Sequence, residues 1–513
     1  MAYRSKLQVV QDLMGGQDAM REAGRNGRYI PRYVGEPEAK WAARVMEATI
    51  FNGYERTLAY LCGQVFSKDL RLQGEGGNEQ DAKLGAFADL AENIDGEGNS
   101  ISVWSKRGFH KSLNDGWGIL LADSAAVEVR NAAGGGREYL AGKDAAGNED
   151  WRPLTAATDA EAGLRPKLVY VRSENILGWR FKMVGGAKKL VMLRIMETEK
   201  VEGEWDAGDE EIPQVRVITP GHWETYQQQG DDKDNWVPVG EGVLPTPNDI
   251  PVAIVRLGKP LDDEMTCEPA LRALADKNVE HWKKQADHNQ LMTWVRSPGM
   301  MASGVQEDTE LPWGPGVLTK LTDPQGKVEA VGVDAPSVAA SRQELEDLKR
   351  DMALYGMQLL MPRIEVGDVT ATEKGISKDE SDSTLKGWAI EWKDALEQAL
   401  VWLAAFIREQ VKAPSVVINT KYRAPLDNAS IAKELSDARQ RGDISRETWW
   451  EIQIEAGVLP DDFDFAEERA RLEADNRQQA GPSGAGSLAD KILGAGNPTA
   501  SGQPNQDRQG QAA

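Results

Sequence analysis

The clearest hydrophobic pattern in the chain lies between Glu268 and Arg408. Leu271, Ala275, Val279, Trp282 and Ala286 recur at helical spacing and form one narrow stripe. Arg272, Lys277, Glu280, Lys283, Lys284 and Asp287 occupy the other side. This predicts a helix over Pro269–Val295, with Pro269 tolerated in its first turn and Thr266 as a possible cap. A second helix is expected over Pro336–Met361. Leu345, Leu348, Met352, Tyr355 and Leu359 alternate there by three and four, a coiled-coil-like seam for helix-on-helix packing. A third runs from about Ile376 to Arg408. Two non-helical connections separate them, a Pro/Gly-punctuated segment at 297–335 and a shorter loop at 362–375.

The rest of the chain changes character several times. Residues 1–83 read as mostly helical, with a tract over Lys40–Leu61 interrupted at Asn52-Gly53. Another helical tract is expected over Leu84–Asp123, ending in the apolar run Ile119-Leu120-Leu121-Ala122. Residues 124–165 are rich in Ala, Gly, Asp and Glu and read as a surface insertion. Strand signals follow at Leu168–Val171, Leu190–Ile195, Gln214–Ile218, Trp223–Tyr226 and Val252–Val255, suggesting one antiparallel sheet that forms a domain over 166–257. A strand at Ser415–Asn419 precedes two shorter helices, one from Asp427 and one from Ser445, the latter capped by Ser445. Beyond Asn476 the composition is too polar to bury a core and disorder is expected. The pattern as a whole is that of an α+β fold.

Composition changes this picture in three ways. The chain has 513 residues, 40% hydrophobic and 28% charged, with no apolar run long enough for a bilayer span. No apolar segment follows the first residues, so a secretory signal is not expected, and two cysteines, Cys62 and Cys267, exclude a disulfide framework. The formal net charge of −22 argues against a tight nucleic-acid binder but not against a protein past which DNA slides.

Catalytic signatures are sparse. The sequence has no GxxxxGK[ST] phosphate loop, no HExxH, no paired CxxC and no G-x-S-x-G elbow. Of the four histidines, His281 and His288 lie seven residues apart on one helix, too far for one metal, and are expected to be exposed. Acidic clusters at Asp206/Asp209/Glu210/Glu211, Asp231/Asp232/Asp234 and Asp461/Asp462/Asp464 sit in turns, where a solvated surface is the ordinary explanation. Asp95-Gly96-Glu97-Gly98-Asn99 lacks the full calcium-loop spacing. Trp388 with Trp392, and Trp449 with Trp450, could stack on bases, but core or subunit-interface anchoring is the ordinary use of tryptophan.

Four blocks then bear on function. They are Asn52–Lys68; Asn93–Ser100 leading into Leu113–Asp123; Arg165-Pro166 with Glu174–Arg180; and Pro269–Trp282 with Ala286-Asp287. With the helix at Met352–Leu360 they resemble the portal, or head-to-tail connector, proteins of tailed bacteriophages, in a phage group often described only as of unknown function. The likeness spans most of residues 40–475.

The resemblance implies an N-terminal helical region (1–83), a wing (84–262, with the insertion at 124–165 and a strand-rich part at 166–257), stem helix 1 (263–296) and a clip (297–335). Stem helix 2 (336–361), a tunnel loop (362–375), a long helix and strand (376–426), a helical crown (427–476) and a tail (477–513) follow. It implies a homo-oligomeric ring, a dodecamer, at one capsid vertex. Double-stranded DNA would pass through it during packaging and ejection. The terminase large subunit and head-tail adaptor proteins would dock on it, and capsid and scaffold proteins would surround it. The location would be the virion, with the host cytoplasm during assembly and no membrane. Such proteins are not enzymes and take no cofactor or metal. Arg363, Thr370, Thr372 and Lys374 would be the DNA-facing loop residues. The alternatives are another phage structural part, a head-tail adaptor or scaffold, or a hydrolase using one acidic cluster.

Overall fold

The computed structural model describes residues 2–74, 84–124, 129–131, 137–143, 149–153, 165–201, 210–228, 235–261, 263, 265–303, 325–356, 371–407, 412–420, 422, 436–455, 459, 463 and 465–479. They divide into two compact units, Met1–Tyr422 and Arg423–Ala513. The fold is a mixture of helix and strand, as the sequence pattern predicts.

The first unit opens with four helices, α1 (Ala2–Met14), α2 (Gly16–Arg25), α3 (Glu38–Glu47) and α4 (Gly53–Val65). The Asn52-Gly53 break starts α4, because the Asn52 side chain accepts from the Glu55 amide at 3.2 Å. A three-residue strand β1 (Arg71–Gln73) and helices α5 (Ala86–Glu92) and α6 (Ile101–Asp115) follow. Gly116 closes α6 at φ +82°, and a Cβ there would stand 2.7 Å from the Glu268 carbonyl oxygen. Left-handed geometry and close backbone approach both call for glycine at that point.

Beyond Gly116 the sequence expectation fails. Trp117–Asp123 is not the end of a helical tract but a strand, β2, buried at every residue. It is the centre of a three-stranded antiparallel sheet in the order β12-β2-β6, with β6 at Lys167–Arg172 and β12 at Val252–Arg256. Ile119 faces one core with Trp117 and Leu121, while Leu120 and Ala122 face another. A strand covered on both faces loses its polar alternation and reads as a continuous apolar run, which periodicity cannot tell from a buried helix.

The remaining strand signals form a second sheet rather than joining the first. It is an antiparallel meander of β7 (Ile176–Val184), β8 (Ala187–Val201), β9 (Glu210–Thr219), β10 (His222–Gln228) and β11 (Trp236–Val243), in chain order. Gly185 and Gly186, both at positive φ, make the two-residue turn between Val184 and Ala187. The insertion carries a small sheet of its own, β3 (Val129–Asn131), β4 (Arg137–Lys143) and β5 (Glu149–Pro153). The two larger sheets are tied by Arg216 on β9, which donates to both Asp123 oxygens on β2 at 2.8 and 2.9 Å.

A two-residue pair, β13 (Lys259–Pro260) and β14 (Cys267–Glu268), leads into the long helices α7 (Arg272–Arg296), α8 (Ala335–Tyr355) and α9 (Ala371–Phe406). Between α7 and α8 stand β15 (Gly299–Ser303) and β16 (Lys327–Val331), paired antiparallel. Helix α9 lies on the three-stranded sheet, with Leu385, Ala389, Trp392, Leu396, Leu400 and Leu403 buried. Trp392 meets Phe109 edge-on at 6.0 Å, and Gly108 makes room for it, since a Cβ would come within 2.4 Å of the ring. The last strand, β17 (Ser415–Val417), pairs with β1.

The second unit has a helical stretch at 436–441, then α10 (Arg446–Glu455) and α11 (Phe465–Gln479). Ser445 caps α10, its hydroxyl accepting from the Thr448 amide at 3.0 Å. Trp450 is 5% exposed and packs against Phe463 and Phe465. Disorder was expected beyond Asn476, but α11 continues through Gln479, so residues 477–479 are helical; residues 480–513 lie outside the described residues.

Candidate functional site: the antiparallel helix pair

Helix α7 has 25 residues, roughly 38 Å, and two buried faces. Trp282 is fully buried on the first, edge-on to Tyr29 at 6.4 Å. Gly24 of α2 lets the chains approach, because a Cβ there would stand 3.0 Å from the Trp282 ring and 2.7 Å from Val45. The second face meets α8. Lys277 pairs with Asp351 at 3.5 Å and Lys284 with Glu344 at 2.8 Å, while His288 Nδ1 lies 3.0 Å from the Ser341 hydroxyl. Partner numbers fall along α8 as they rise along α7, so the pair is antiparallel.

The seam beneath those pairs is narrow. Leu345 and Leu348 are 5% and 6% exposed, Met352 is fully buried, and the Met352 methyl lies over Gly53. Tyr355, expected in the seam, is 50% exposed, and Ala353 fills the inward position of that turn. Helix α8 ends at Tyr355, earlier than the sequence pattern predicts, and the Gly356 amide closes it by donating to the Met352 carbonyl at 2.8 Å. Leu359, Arg363 and Thr370 lie outside the described residues. Thr372 and Lys374, expected in a loop, stand in the first turn of α9, which begins at Ala371. Gly375 does not end the loop, because a glycine inside a helix costs only about 1 kcal/mol.

His281 departs from expectation more sharply. It is 1% exposed, and neither ring nitrogen has a hydrogen-bond partner among the described residues. It packs against Phe51 at 5.8 Å between ring centroids. Burial, aided by the nearby Lys349 ammonium and opposed by Glu346, pushes its pKa down from 6.5 to about 4. A neutral imidazole therefore sits in the seam at neutral pH.

A buried polar network joins α7 to the rest of the unit. Asn278 accepts from the Tyr54 amide at 2.9 Å and donates to the Phe51 carbonyl at 3.0 Å. The Tyr54 hydroxyl donates to Asn114 at 3.0 Å, and Asn114 donates to Asp115 at 2.8 Å. Arg172 then grips both Asp115 oxygens at 2.9 Å and pairs with Glu174, which also accepts from Gln11. Burial, and next the Asp115 charge, raises the Tyr54 pKa, so its hydroxyl stays neutral and donating. Tyr54, Asn114-Asp115, Glu174 and Asn278 come one from each of the four sequence blocks on which the family resemblance rests. Sequence reasoning named those blocks without seeing that one chain of hydrogen bonds connects them; no local signal carries such long-range pairing.

The acidic clusters at Asp206–Glu211, Asp231–Asp234 and Asp461–Asp464 fall mainly outside the described residues. Among the described residues no group of three or more His, Cys, Asp or Glu could hold a metal ion. Likewise, among them no helix is long and apolar enough to cross a membrane. Trp392 is a core residue; Trp388 is half-buried beside the same core.

The helix pair coincides with a known sequence family. A domain of unknown function, DUF4055, matches residues 270–407, which hold α7, the β15–β16 ribbon, α8 and α9. No curated protein matches the chain. Among solved structures the chain is similar to a component of the neck of a native GTA particle computed with C12 symmetry. The TM-score is 0.35 and the identity 12%, covering 79% of this chain and 89% of that one.

Proposed function

We propose that this protein is the subunit of a bacteriophage portal. Copies would form a ring at one capsid vertex, through which double-stranded DNA enters during packaging and leaves on ejection. The observation that carries the reading is the order of elements from 272 to 406. An antiparallel helix pair is joined through a β ribbon, then comes the 357–370 segment and then a 36-residue helix. On this reading the helix pair would be the stem, the ribbon part of the clip, the 357–370 segment the tunnel loop and α9 the long helix, in the order that the sequence resemblance implies. The seam of α8 supports it physically. Four buried residues line one side of a 21-residue helix, and most of its remaining residues are exposed, available to a neighbouring copy.

On this reading the protein has no enzymatic activity and needs no cofactor. The terminase large subunit and head-tail adaptors would dock on the ring, with capsid and scaffold proteins around it. Arg363 and Lys374 would make weak phosphate contacts that permit sliding.

The test is electron microscopy and native mass spectrometry of the purified full-length chain across several salt and protein concentrations. Rings of about a dozen copies, the count carried by the resemblance, support the reading. A monomer under every condition, or turnover of a substrate, would overturn it. Complementation of a phage lacking its own copy separates the roles further. Arg363→Ala with Lys374→Ala is expected to give normal heads with altered DNA content. Normal infectivity would remove these two side chains from the mechanism.

A further inference from the structure

Residues 24–35, which end α2 and run toward α3, hold three arginines, two tyrosines and no carboxylate. This connection is pinned from beneath. Tyr29 and Ile30 are buried; Tyr29 donates to Asp12 at 2.7 Å, and the Trp41 indole donates to the Ile30 carbonyl at 2.8 Å. Arg44 does most of the holding with its side chain 4% exposed. It donates to both Glu36 oxygens at 3.0 and 2.9 Å, to the Pro31 carbonyl at 2.8 Å and to Asp287 on α7 at 3.3 Å. Its guanidinium also stacks on Tyr33 at 4.1 Å. A buried ion pair is a weak source of stability, because desolvation offsets most of the attraction. What it does supply here is a fixed loop shape.

That fixed loop presents uncovered apolar and cationic groups together. Val34 is fully exposed, Tyr33 is 47% exposed and Met46, whose sulfur lies 2.7 Å from Arg25 Nη2, is 37% exposed. Arg25, Arg28 and Arg32 are exposed beside them. Arginine, tyrosine and methionine are the types enriched at the centres of protein interfaces. A surface held in shape before docking loses less entropy on binding.

Charge points to the partner. Residues 1–73 carry eleven Lys and Arg against eight Asp and Glu, whereas the whole chain is −22, so the remainder is −25. The best complement to a basic, apolar loop that every copy possesses is the acidic remainder of another copy. A DNA backbone fits less well. Phosphates give Val34 and Met46 nothing. We propose that the pinned loop 24–35, with Met46, is one half of a head-to-tail interface between copies, docking on an acidic face of the next subunit. This rests on the ring reading and names a surface that would build the ring. Two different patches meeting is the geometry that closes rings.

The experiment uses the full-length chain in three forms: wild type, Arg25→Glu with Arg32→Glu, and Val34→Asp. Sedimentation velocity and native mass spectrometry follow assembly against protein and salt concentration, and thermal unfolding checks the fold. Each variant is expected to unfold as wild type does and to need at least tenfold more protein for half-assembly, about 1.4 kcal/mol of interface energy. Wild-type assembly should weaken as salt rises, and the arginine variant should show less of that dependence. Variants that assemble like wild type would overturn the inference and leave the ring reading standing. A wild type that never self-associates would remove both. Loss of binding to a short DNA duplex in the arginine variant, with assembly unchanged, would reassign the loop to nucleic acid and overturn the interface.

Discussion

Helices α8 and α9 are both long and both carry helical stripes, yet they are used differently. Along α9, Leu385, Ala389, Trp392, Leu396, Ala399, Leu400 and Leu403 are buried against the three-stranded sheet and α6. Trp402 reaches the Val252 carbonyl at 3.0 Å and Glu397 accepts the Val416 amide at 2.8 Å, so even the polar groups at its edge are tied to the core. Along α8 only Leu345, Leu348, Met352 and Ala353 are buried, and the flanks are lined by ion pairs. A broad stripe makes a helix part of the core; a narrow one leaves its other faces available to a partner. Over its described side chains α9 is therefore a core element of the first unit, whereas most of the surface of α8 is left uncovered within the chain.

The largest effect should come from α9. Trp392→Ala opens a cavity between Phe109, Trp104 and Tyr170 and should cost about 3–5 kcal/mol, read as a shift in the denaturant midpoint. A loss below about 1 kcal/mol would mean that α9 is not core and would erase the contrast with α8. Next comes the seam. Leu348→Asp places an unpaired carboxylate at a position 6% exposed, with an expected cost of about 3 kcal/mol and failure of normal assembly. Soluble, normally assembled rings from this variant would show that the seam faces solvent.

A pH series sharpens the same comparison. His281 is held neutral in the seam with its pKa pushed from 6.5 to about 4. The unfolded chain takes up the proton first, so stability is full above pH 6.5 and is lost as the pH falls toward 4. Between about pH 7.5 and 4.5 that loss is about 2 kcal/mol from this residue. Comparing wild type with His281→Phe at both pH values isolates it, and an unchanged pH dependence would remove His281 from the account. The smallest effect belongs to the rim. Lys284→Ala breaks the pair with Glu344, whose partners are 40% and 48% exposed, and should change stability by less than about 1 kcal/mol. A larger loss would mean that the α7–α8 pair is held by charge rather than by its apolar seam.

Helix existence was the most legible property. The stripes at Leu271–Ala286 and Leu345–Met352 place α7 and the start of α8 within a few residues, though α8 ends at Tyr355 rather than the expected Met361, and Ser445 marks the start of α10, because spacing and caps are local properties of the chain. Strands were partly legible. Val252–Val255 and Leu168–Val171 read as strands, but assigning them to the same sheet as Leu190–Ile195 was mistaken, since pairing depends on residues far apart in the chain. Strand β7 carries a legible signal that was missed, Trp179, Phe181 and Met183 alternating with Arg180 and Lys182, whereas β11 is weakened as a strand signal by Pro238, Gly240 and Gly242. The β15–β16 ribbon escaped notice because its two halves are short, rich in small residues and far apart in the chain.

The candidate site divides along the same line. From sequence alone came the two long helices, the inward identity of Leu345, Leu348 and Met352, and the family resemblance carried by four separated blocks. The tertiary structure alone decided that Tyr54, Asn114, Asp115, Glu174 and Asn278 join in one buried network. It also decided that His281 is enclosed rather than exposed, and that Arg44 and Glu36 are buried together beneath a basic loop. A helical stripe follows from about 3.6 residues per turn and is written in neighbouring positions. Whether a histidine or an arginine on the polar side of that stripe is covered depends on what another part of the chain lays over it. In this protein the covering groups, Phe51 and Asp287, lie more than two hundred positions from the residues they enclose, and no local pattern encodes them.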